Sequence, residues 1–313
     1  MTRRPIDLDI PSLAGRRAVV TGGSDGIGRR IATRLAAAGA DVVLPVRNAA
    51  KGDAAVASIR KVAPDARIRT APLDLASLDS VAAFGEAMRG QGEPIHLLIN
   101  NAGVMTPPNR QTTADGFEVQ WGTNHLAHVA LVAQLLPLLR AGRARVTSQI
   151  SVAAARGGID WDDLDSQRGY DGMRAYRQSK IAFGLFGLEL ARRSAAHGWG
   201  VTSNLSHPGV APTSLLAART ELGRADDTLA VRVIRWASAR HLIVGTPETA
   251  ALPALLAATA TTSRSGALYS PGGPGHLGGA PSEQTLYRPL QSEADATRIW
   301  NVSARLVGAE FPG

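Results

Sequence analysis

The chain has 313 residues, of which 44% are hydrophobic, and its formal net charge is +8 at pH 7. These values predict a globular protein of one large or two small domains, with enough apolar residues for a sizeable core. The absence of cysteine excludes disulfides, thiolate nucleophiles and cysteine metal sites, and the scattered arginines, without interleaved aromatic residues, disfavour a nucleic-acid partner.

The amino-terminal arm, residues 1–16, carries no apolar core of a signal peptide. The longest apolar stretch, residues 127–139, is interrupted by His128, Gln134 and Pro137 and is too short to span a bilayer. We therefore expect a cytoplasmic protein with no membrane partner. No metal site is predicted.

The first structured segment combines a strand, a glycine-rich turn and a helix. Residues 17–21 form a short β-branched run, the motif TGGSDGIG follows, and helical periodicity covers residues 29–38. Such an arrangement binds anions, because glycines let the backbone approach a phosphate and the free N–H groups of a helix start face it. Gly22, Gly26 and Gly28 are therefore predicted to line a dinucleotide pyrophosphate, with an ordinary tight turn as the alternative.

A second strand, residues 41–46, completes a βαβ unit, and its end bears on which dinucleotide is bound. Selectivity for the unphosphorylated form requires an acidic residue there, but Val46 and Arg47 occupy that place. Because an arginine fork suits a 2′-phosphate, NADP is predicted over NAD. Pro45 cannot donate to a strand ladder and is expected to mark the point where pairing ends.

Strands and helices continue to alternate. Helices are predicted over residues 51–62 and 78–89, and strands over residues 68–72 and 95–99. This order favours an α/β fold with a Rossmann-type, doubly wound parallel sheet that binds ligands at the carboxyl ends of its strands. Asp74 follows the third strand, where it either accepts from an adenine amino group or belongs to the next helix cap.

Two further segments place polar side chains at the same predicted edge. A helix over residues 123–139 has Asn124 near its start, and a strand over residues 144–147 leads to Ser151. Taken alone, such an asparagine and serine would more often be capping or turn residues than catalytic ones.

Tyr176 and Lys180 stand four residues apart at the start of an apolar run that predicts a helix, so their side chains share one face. The ammonium group is expected to lower the pKa of the phenol toward neutrality, which would make Tyr176 a general acid or base. The alternative is a half-buried tyrosine above a solvated lysine.

Several motifs occur in a fixed order: TGGSDGIG, NNAG, Asn124 in Thr-Asn-His-Leu, a serine after the fifth strand, YRQSK and the His-Pro-Gly of residues 207–209. Together they resemble the short-chain dehydrogenase/reductase family over about residues 17–270. The glycine spacing is similar to its shorter-chain form, and residues 161–180 are similar to its retinol dehydrogenase-like and carbonyl reductase branches.

The resemblance implies a catalytic tetrad, which would be Asn124, Ser151, Tyr176 and Lys180. In this family the serine hydrogen-bonds the substrate carbonyl and the tyrosine transfers the proton. The lysine lowers the tyrosine pKa and holds the nicotinamide ribose, and the asparagine anchors a water that relays protons. The chain departs from the family at Ile150, which stands where the first of two adjacent serines is usual, while Ser148 lies upstream.

The resemblance also implies the residues that bind NADP(H). They are Thr21, Gly22, Ser24, Gly26, Ile27, Gly28, Arg47, Asn48, Asp74, Leu75, Asn101, Ala102, Gly103, Tyr176, Lys180, Pro208, Gly209 and Thr213.

The carboxyl-terminal third carries weaker signals. Residues 210–245 are expected to cover the substrate, and Thr246-Pro247-Glu248 is typical of a capped helix start. A short strand is predicted near residues 268–270, a flexible connector over the glycine-rich residues 271–279, and a terminal helix over residues 293–307.

The predicted organisation is an arm (1–16), one NADP-binding catalytic domain (17–270) and a carboxyl-terminal extension (271–313). Its predicted function is hydride transfer between NADP(H) and a small-molecule carbonyl or alcohol. The alternative is a non-catalytic NADP-binding redox sensor, which usually lacks the tyrosine or the lysine.

The helices over residues 124–139 and 176–190 are apolar nearly all round, and Gly184 and Gly187 permit close approach. Because one face of each is enough to cover a sheet, and because such helices pair between subunits in this family, we expect a homodimer or homotetramer. The alternative is burial of the second face under the carboxyl-terminal tail.

Overall fold

The computed structural model describes residues 6–212 and 244–312 of the chain. Within these ranges eight strands form one sheet in the order β3-β2-β1-β4-β5-β6-β7-β8. The first seven strands are parallel, and β8 is antiparallel to β7. The predicted doubly wound α/β fold is confirmed.

The strands are β1 (Arg17–Val20), β2 (Asp41–Val46), β3 (Ile68–Pro72), β4 (Leu97–Asn100), β5 (Arg145–Gln149), β6 (Thr202–Ser206), β7 (Leu268–Pro271) and β8 (Pro281–Gln284). The main helices are α1 (Gly26–Ala37), α2 (Ala49–Val62), α3 (Leu78–Gln91), α4 (Ala127–Ala141), α5 (Gly172–Ala196), α6 (Pro247–Thr259) and α7 (Glu293–Leu306). None of the helices in the described ranges combines the length and apolarity needed to cross a bilayer.

Successive strand residues point to opposite faces of the sheet, and helices cover the apolar residues on both faces. On β1, Val19 packs into the core formed with α3, α4 and α5. Its neighbours Ala18 and Val20 pack into a second core formed with α1, α2 and α6. This two-sided burial leaves the carboxyl ends of the strands as the open edge.

Pro45 lies where one of the two ladders of β2 has ended. Pairing of β2 with β1 stops at Val43, which lies opposite Val19, whereas pairing with β3 continues through Pro45 and Val46. The expectation that Pro45 marks the end of pairing is therefore correct for the β1 side and wrong for the β3 side. A proline fits here because β1 no longer pairs with β2 at this position and needs no N–H donor from it.

The outer face of α5 is covered by the carboxyl-terminal extension. A Cβ built on Gly184 would lie 2.8 Å from Leu290 Cδ2, so the two segments are in close contact. The Phe186 ring stacks on Trp300 of α7 with 4.9 Å between ring centroids. The apolar face behind the dimer prediction is thus buried within the chain, as the alternative predicted, and the oligomeric state stays a prediction.

The glycine-rich residues 271–279, predicted as a flexible connector, are packed against the end of the sheet. The Leu277 carbonyl accepts from the Val210 N–H at 2.9 Å. Gly209 has a φ of +77°, and a Cβ there would lie 2.6 Å from the same carbonyl. The connector prediction is wrong in this respect. The absence of a side chain at glycine lets two backbone segments pack closely here.

Candidate active site

A cavity of about 790 Å³ lies at the carboxyl edge of the sheet. Most of the predicted site residues line it: Thr21, Gly22, Ser24, Gly26, Ile27, Gly28, Arg47, Asp74, Leu75, Asn101, Ala102, Gly103, Ser151, Tyr176, Lys180, Pro208 and Gly209. Asn48 and Asn124 are not among its lining residues. Thr213, like most of the predicted substrate-covering segment 210–245, lies outside the described residues.

The glycine-rich turn forms a cradle that side chains would fill. Gly22 and Gly26 have φ values of +66° and +52°, a region that favours glycine. A Cβ on Gly28 would lie 2.5 Å from Asn101 Nδ2. Asp25 caps α1 by accepting from the Gly26 N–H at 2.7 Å. The open backbone at a helix start fits a dinucleotide pyrophosphate.

The ends of β2 and β3 supply the next part of the cavity. Arg47 is exposed and has no hydrogen-bond or ion-pair partner among the described residues, so its guanidinium is free to meet a phosphate. Asn48 instead caps α2, accepting from the Lys51 N–H at 2.9 Å. Asp74 lines the cavity while its Oδ1 accepts from the Ala76 N–H at 2.9 Å, so this carboxylate also shapes the turn.

A hydrogen-bonded chain ties four strand ends together. Thr21 Oγ1 accepts from the N–H groups of Asn101 and Ala102 at 2.9 and 3.0 Å. Asn101 Oδ1 accepts from Gln149 Nε2 at 2.7 Å, and Gln149 Oε1 accepts from Ser206 Oγ at 3.0 Å. Gln149 was missed from the sequence, although a polar residue closing a buried strand at the ligand edge is a signal that could have found it.

Asn124 lies in a π-helical turn, Trp121–Leu126, ahead of α4. Its Oδ1 accepts from the Val104 N–H at 2.7 Å, and its Nδ2 donates to the Val104 carbonyl at 2.9 Å and to Ser179 Oγ at 3.0 Å. The amide therefore fastens the loop after β4 to α5. Single π-helical turns are frequent at functional sites, but the predicted water-anchoring role stays a prediction.

His128 connects this turn to the glycine-rich loop. Its Nδ1 lies 3.1 Å from the Asn124 carbonyl oxygen and its Nε2 3.2 Å from Thr21 Oγ1. Because a carbonyl only accepts, Nδ1 carries the proton, and Nε2 is an acceptor that faces the threonine hydroxyl, which also lies 3.3 Å from the Ile99 carbonyl. Complete burial lowers the His128 pKa to about 3, so the ring is neutral and its two hydrogen bonds are fixed in direction.

Ser151 and Tyr176 are neighbours in the cavity lining. Ser151 starts the short turn Val152–Ala155, where its Oγ accepts from the Ala153 N–H at 3.2 Å. Ser148 lies inside β5, buried, with its hydroxyl unpartnered among the described residues. The structure therefore places Ser151, and not Ser148, in the lining of the cavity.

Burial dominates the electrostatics of the tyrosine and lysine. It raises the pKa of Tyr176, against the opposing effect of the neighbouring Ser151 side chain, and lowers the pKa of Lys180 to about 8. The Lys180 ammonium donates to the Gln149 carbonyl at 2.9 Å. The direction for Tyr176 is opposite to the predicted one, because spacing along a helix does not reveal how fully the phenol is desolvated.

Further lining residues were not among the predicted site residues. They come from the loop after β4, the turn after Ser151, the start of α5, the end of β6 and the extension: Met105, Val152, Ala153, Ala155, Arg156, Met173, Arg177, Val210, Ala211, Gly275, His276 and Tyr287. Arg177 lies within the YRQSK motif, whereas the others reach the cavity through long-range packing that local patterns do not reveal.

Comparison with known proteins agrees with this geometry. A family model described as short chain dehydrogenase matches residues 16–222. An uncharacterised protein from Mycobacterium paratuberculosis superposes with a TM-score of 0.78 at 31% identity, covering 97% of this chain and 98% of the other. The Pseudomonas aeruginosa RhlG/NADP active-site complex gives a TM-score of 0.61 at 28% identity, covering 82% and 95%.

Curated relatives are similarly close. Human retinol dehydrogenase 13 is 39% identical over 305 residues, which cover 96% of this chain and 87% of the relative. Mouse polyprenol dehydrogenase is 44% identical over 211 residues, covering 66% of this chain and 63% of the relative. The chain is therefore an oxidoreductase that belongs to the short-chain dehydrogenase/reductase family, in its retinol dehydrogenase-like branch.

Proposed function

We propose that the protein transfers a hydride between NADP(H) and an apolar carbonyl or alcohol substrate, with Tyr176 as the general acid or base. The observation that carries this proposal is the single cavity shared by the glycine-rich turn, Ser151, Tyr176 and Lys180. A dinucleotide lying across the strand ends would reach from the turn after β1 to α5.

Bound NADPH supplies the hydride that the carbonyl carbon receives in the reductive direction. The Ser151 hydroxyl donates a hydrogen bond to the carbonyl oxygen and holds it beside the phenol. The Tyr176 hydroxyl gives its proton to that oxygen, which completes the alcohol. Lys180, as a cation, stabilises the phenolate that is left.

The preference for NADP(H) is supported by Arg47, whose exposed guanidinium lines the cavity and has no partner among the described residues. A free arginine fork matches the geometry of a phosphate. The similar RhlG structure is an NADP complex, which agrees with the preference for NADP(H).

An apolar substrate is supported by the lining beyond Ser151 and by the relatives, whose names refer to retinol and polyprenol. The side chains of Met105, Val152 and Met173 offer apolar walls there. A cytoplasmic location, a homo-oligomeric state, and the absence of nucleic-acid and membrane partners remain predictions. Nothing supports the redox-sensor alternative, since both Tyr176 and Lys180 are present in the cavity.

The proposal is tested with a panel of aldehydes, ketones and quinones, each assayed by the oxidation of NADPH and of NADH. We expect turnover of at least one apolar carbonyl compound, with NADPH as the better reductant. Tight NADPH binding without turnover of any compound would favour the sensor instead.

A further inference from the structure

Two arginines of the cavity lining are each close in sequence to a residue of the proposed reaction. Arg156 follows the turn Val152–Ala155, which begins at Ser151, and Arg177 follows Tyr176 on α5. Both side chains line the cavity and both are exposed.

The two arginines come from adjoining pieces of chain. A Cβ built on Gly157 would lie 3.9 Å from Arg177 Cδ, so the stem of this arginine runs beside the residue that follows Arg156. Gly157 has a φ of +97°, which turns the chain at this point. The geometry brings two positive charges to one rim.

Neither guanidinium has a hydrogen-bond or ion-pair partner among the described residues. Many other arginines of the chain are paired with carboxylates: Arg17, Arg30, Arg34, Arg69, Arg110, Arg192, Arg193 and Arg264. The contrast singles out the rim, since an arginine lining a cavity without a partner is free to bind a ligand.

Two of the acidic residues close by in sequence, Asp163 and Asp165, are engaged elsewhere. Asp165 forms an ion pair with Arg110. Asp163 accepts from the backbone N–H groups of Gln167 and Arg168 at 2.7 and 2.8 Å. Within residues 6–212 and 244–312, no carboxylate forms an ion pair with Arg156 or Arg177.

The cavity that these arginines share with Tyr176 also has apolar lining. Ala153, Ala155 and Met173 contribute to it, with Met105 from the loop after β4. A ligand that fits such a site has an apolar body with a reacting carbonyl at one end and a negative charge at the other.

We propose that Arg156 and Arg177 bind an anionic oxygen group of the substrate, so that the enzyme prefers an acid-bearing apolar aldehyde or alcohol over its neutral ester. This proposal rests on the proposed function, because it places the reacting carbon at Tyr176. Both charges are partly solvated, so we expect a gain of about tenfold in affinity, which falls with added salt.

Binding is measured apart from turnover. Calorimetry at low salt gives the dissociation constants of a medium-chain ω-hydroxy acid and of its methyl ester. NADPH is present because the reduced cofactor cannot oxidise either alcohol, so binding is measured without turnover. In the wild-type protein the acid should bind about tenfold more tightly than the ester.

The variants Arg156→Gln and Arg177→Gln should each lower the acid-to-ester ratio, and the double variant should bring it to about one, with ester affinity unchanged. Arg140→Gln is the matched control. Arg140 is exposed in the last turn of α4, and the residues that follow it pack on Ile95, just ahead of β4. The control substitution therefore removes the same charge at the opposite edge of the sheet.

Equal binding of acid and ester, no binding of the acid, or a preference that survives in the double variant would overturn the proposal. The kcat/KM values for the two corresponding aldehydes are measured alongside. Preferential binding of the acid without reduction of either aldehyde would support the anion site and contradict the proposed function. Reduction of both aldehydes without any preference would support the proposed function and contradict the anion site.

Discussion

The two ends of the cavity are held in place in different ways. At the cofactor end, Asp25, Asn48 and Asp74 accept from backbone N–H groups one, three and two residues away. At the catalytic end the partners are distant in sequence: Asn124 donates to Ser179, 55 residues away. The first end therefore combines local caps with a long-range contact between Thr21 and Asn101, 80 residues apart, whereas the second depends mainly on contacts between distant segments.

This difference predicts which substitutions should change one contact and which should change both cofactor binding and turnover. Arg47 at the cofactor end has no hydrogen-bond or ion-pair partner among the described residues, so its neighbours should keep their geometry when its side chain is removed. At the catalytic end each side chain supports another, as Lys180 does through the Gln149 carbonyl and His128 does through Thr21 and Asn124. Effects there should spread from binding to turnover.

The largest combined effect on turnover and cofactor binding is expected for Lys180→Met. Loss of the cation removes support for the Tyr176 phenolate and a donor to the cofactor ribose, so turnover should fall by about 10²–10⁴-fold and NADPH should bind more weakly. Steady-state kinetics and fluorescence titration measure the two losses.

The pH profile sharpens this prediction. Since burial lowers the pKa of Lys180 to about 8, the wild-type rate should decline above that pH as the ammonium loses its proton. In Lys180→Met this decline should vanish and the residual optimum should move upward. An unchanged alkaline limb in the variant would show that Lys180 does not set it.

Ser151→Ala comes next and is paired with Ser148→Ala. Removing one preorganised donor from the substrate carbonyl should lower turnover by about 10²–10³-fold. Ser148 is buried with an unpartnered hydroxyl, so its replacement should leave both turnover and thermal stability at wild-type values or slightly above. The assignment is reversed if Ser148→Ala is the damaging change.

Arg47→Ala tests the cofactor end, where only one contact should be lost. A charge-assisted phosphate contact contributes about 1.5–3 kcal/mol, so the preference for NADPH over NADH should fall by roughly tenfold to a hundredfold. Turnover at saturating NADPH should stay near the wild-type rate. Equal binding of both cofactors by the wild-type protein, or an undiminished preference in the variant, would contradict the assignment.

The smallest effect per residue is expected from three buried histidines, which should make the free energy of unfolding depend on pH. His125, His128 and His207 are buried, and burial lowers the pKa of each to about 3. Between this value and the usual 6.5, the unfolded chain binds protons that the folded chain does not, so stability falls as pH falls. At pH 5.5 the free energy of unfolding should be lower than at pH 7.5 by about 1.4 kcal/mol for each histidine.

Urea unfolding at the two pH values measures this change. His197 is exposed, so His197→Gln should keep the full pH dependence, whereas His128→Gln should lose about a third of it whatever its effect on stability at pH 7.5. A flat profile for the wild-type protein would mean that the three rings gain protons in the folded state.

The same contrast between local and distant contacts explains what the sequence could predict. The bounds of β2 and β3 and the glycine-rich turn follow from short patterns, and the structure has them where they were expected. The short polar strand β8 was missed because it shows no alternation of apolar residues. The raised pKa of Tyr176 was missed because burial depends on segments far away in the chain.

The helical pattern also left open what surrounds α5, either another subunit or the carboxyl-terminal tail. Its apolar second face suggested another subunit, but Leu290 and Trp300 from the extension cover it. A helical pattern tells which residues are buried and not what buries them. For the same reason Arg156 and Arg177 could not be assigned to the cavity until the turn after Ser151 and the start of α5 were seen side by side.

The central claim is that Tyr176 delivers the proton while the dinucleotide site works independently of it, and Tyr176→Phe tests it most directly. NADPH affinity and carbonyl reduction are measured on the same preparation, with the best substrate of the panel. Phenylalanine keeps the ring and its packing but has no proton to donate, so we predict near wild-type NADPH binding and no detectable reduction. Reduction at a rate near that of the wild type would contradict the claim and return Tyr176 to the role of a packed aromatic residue.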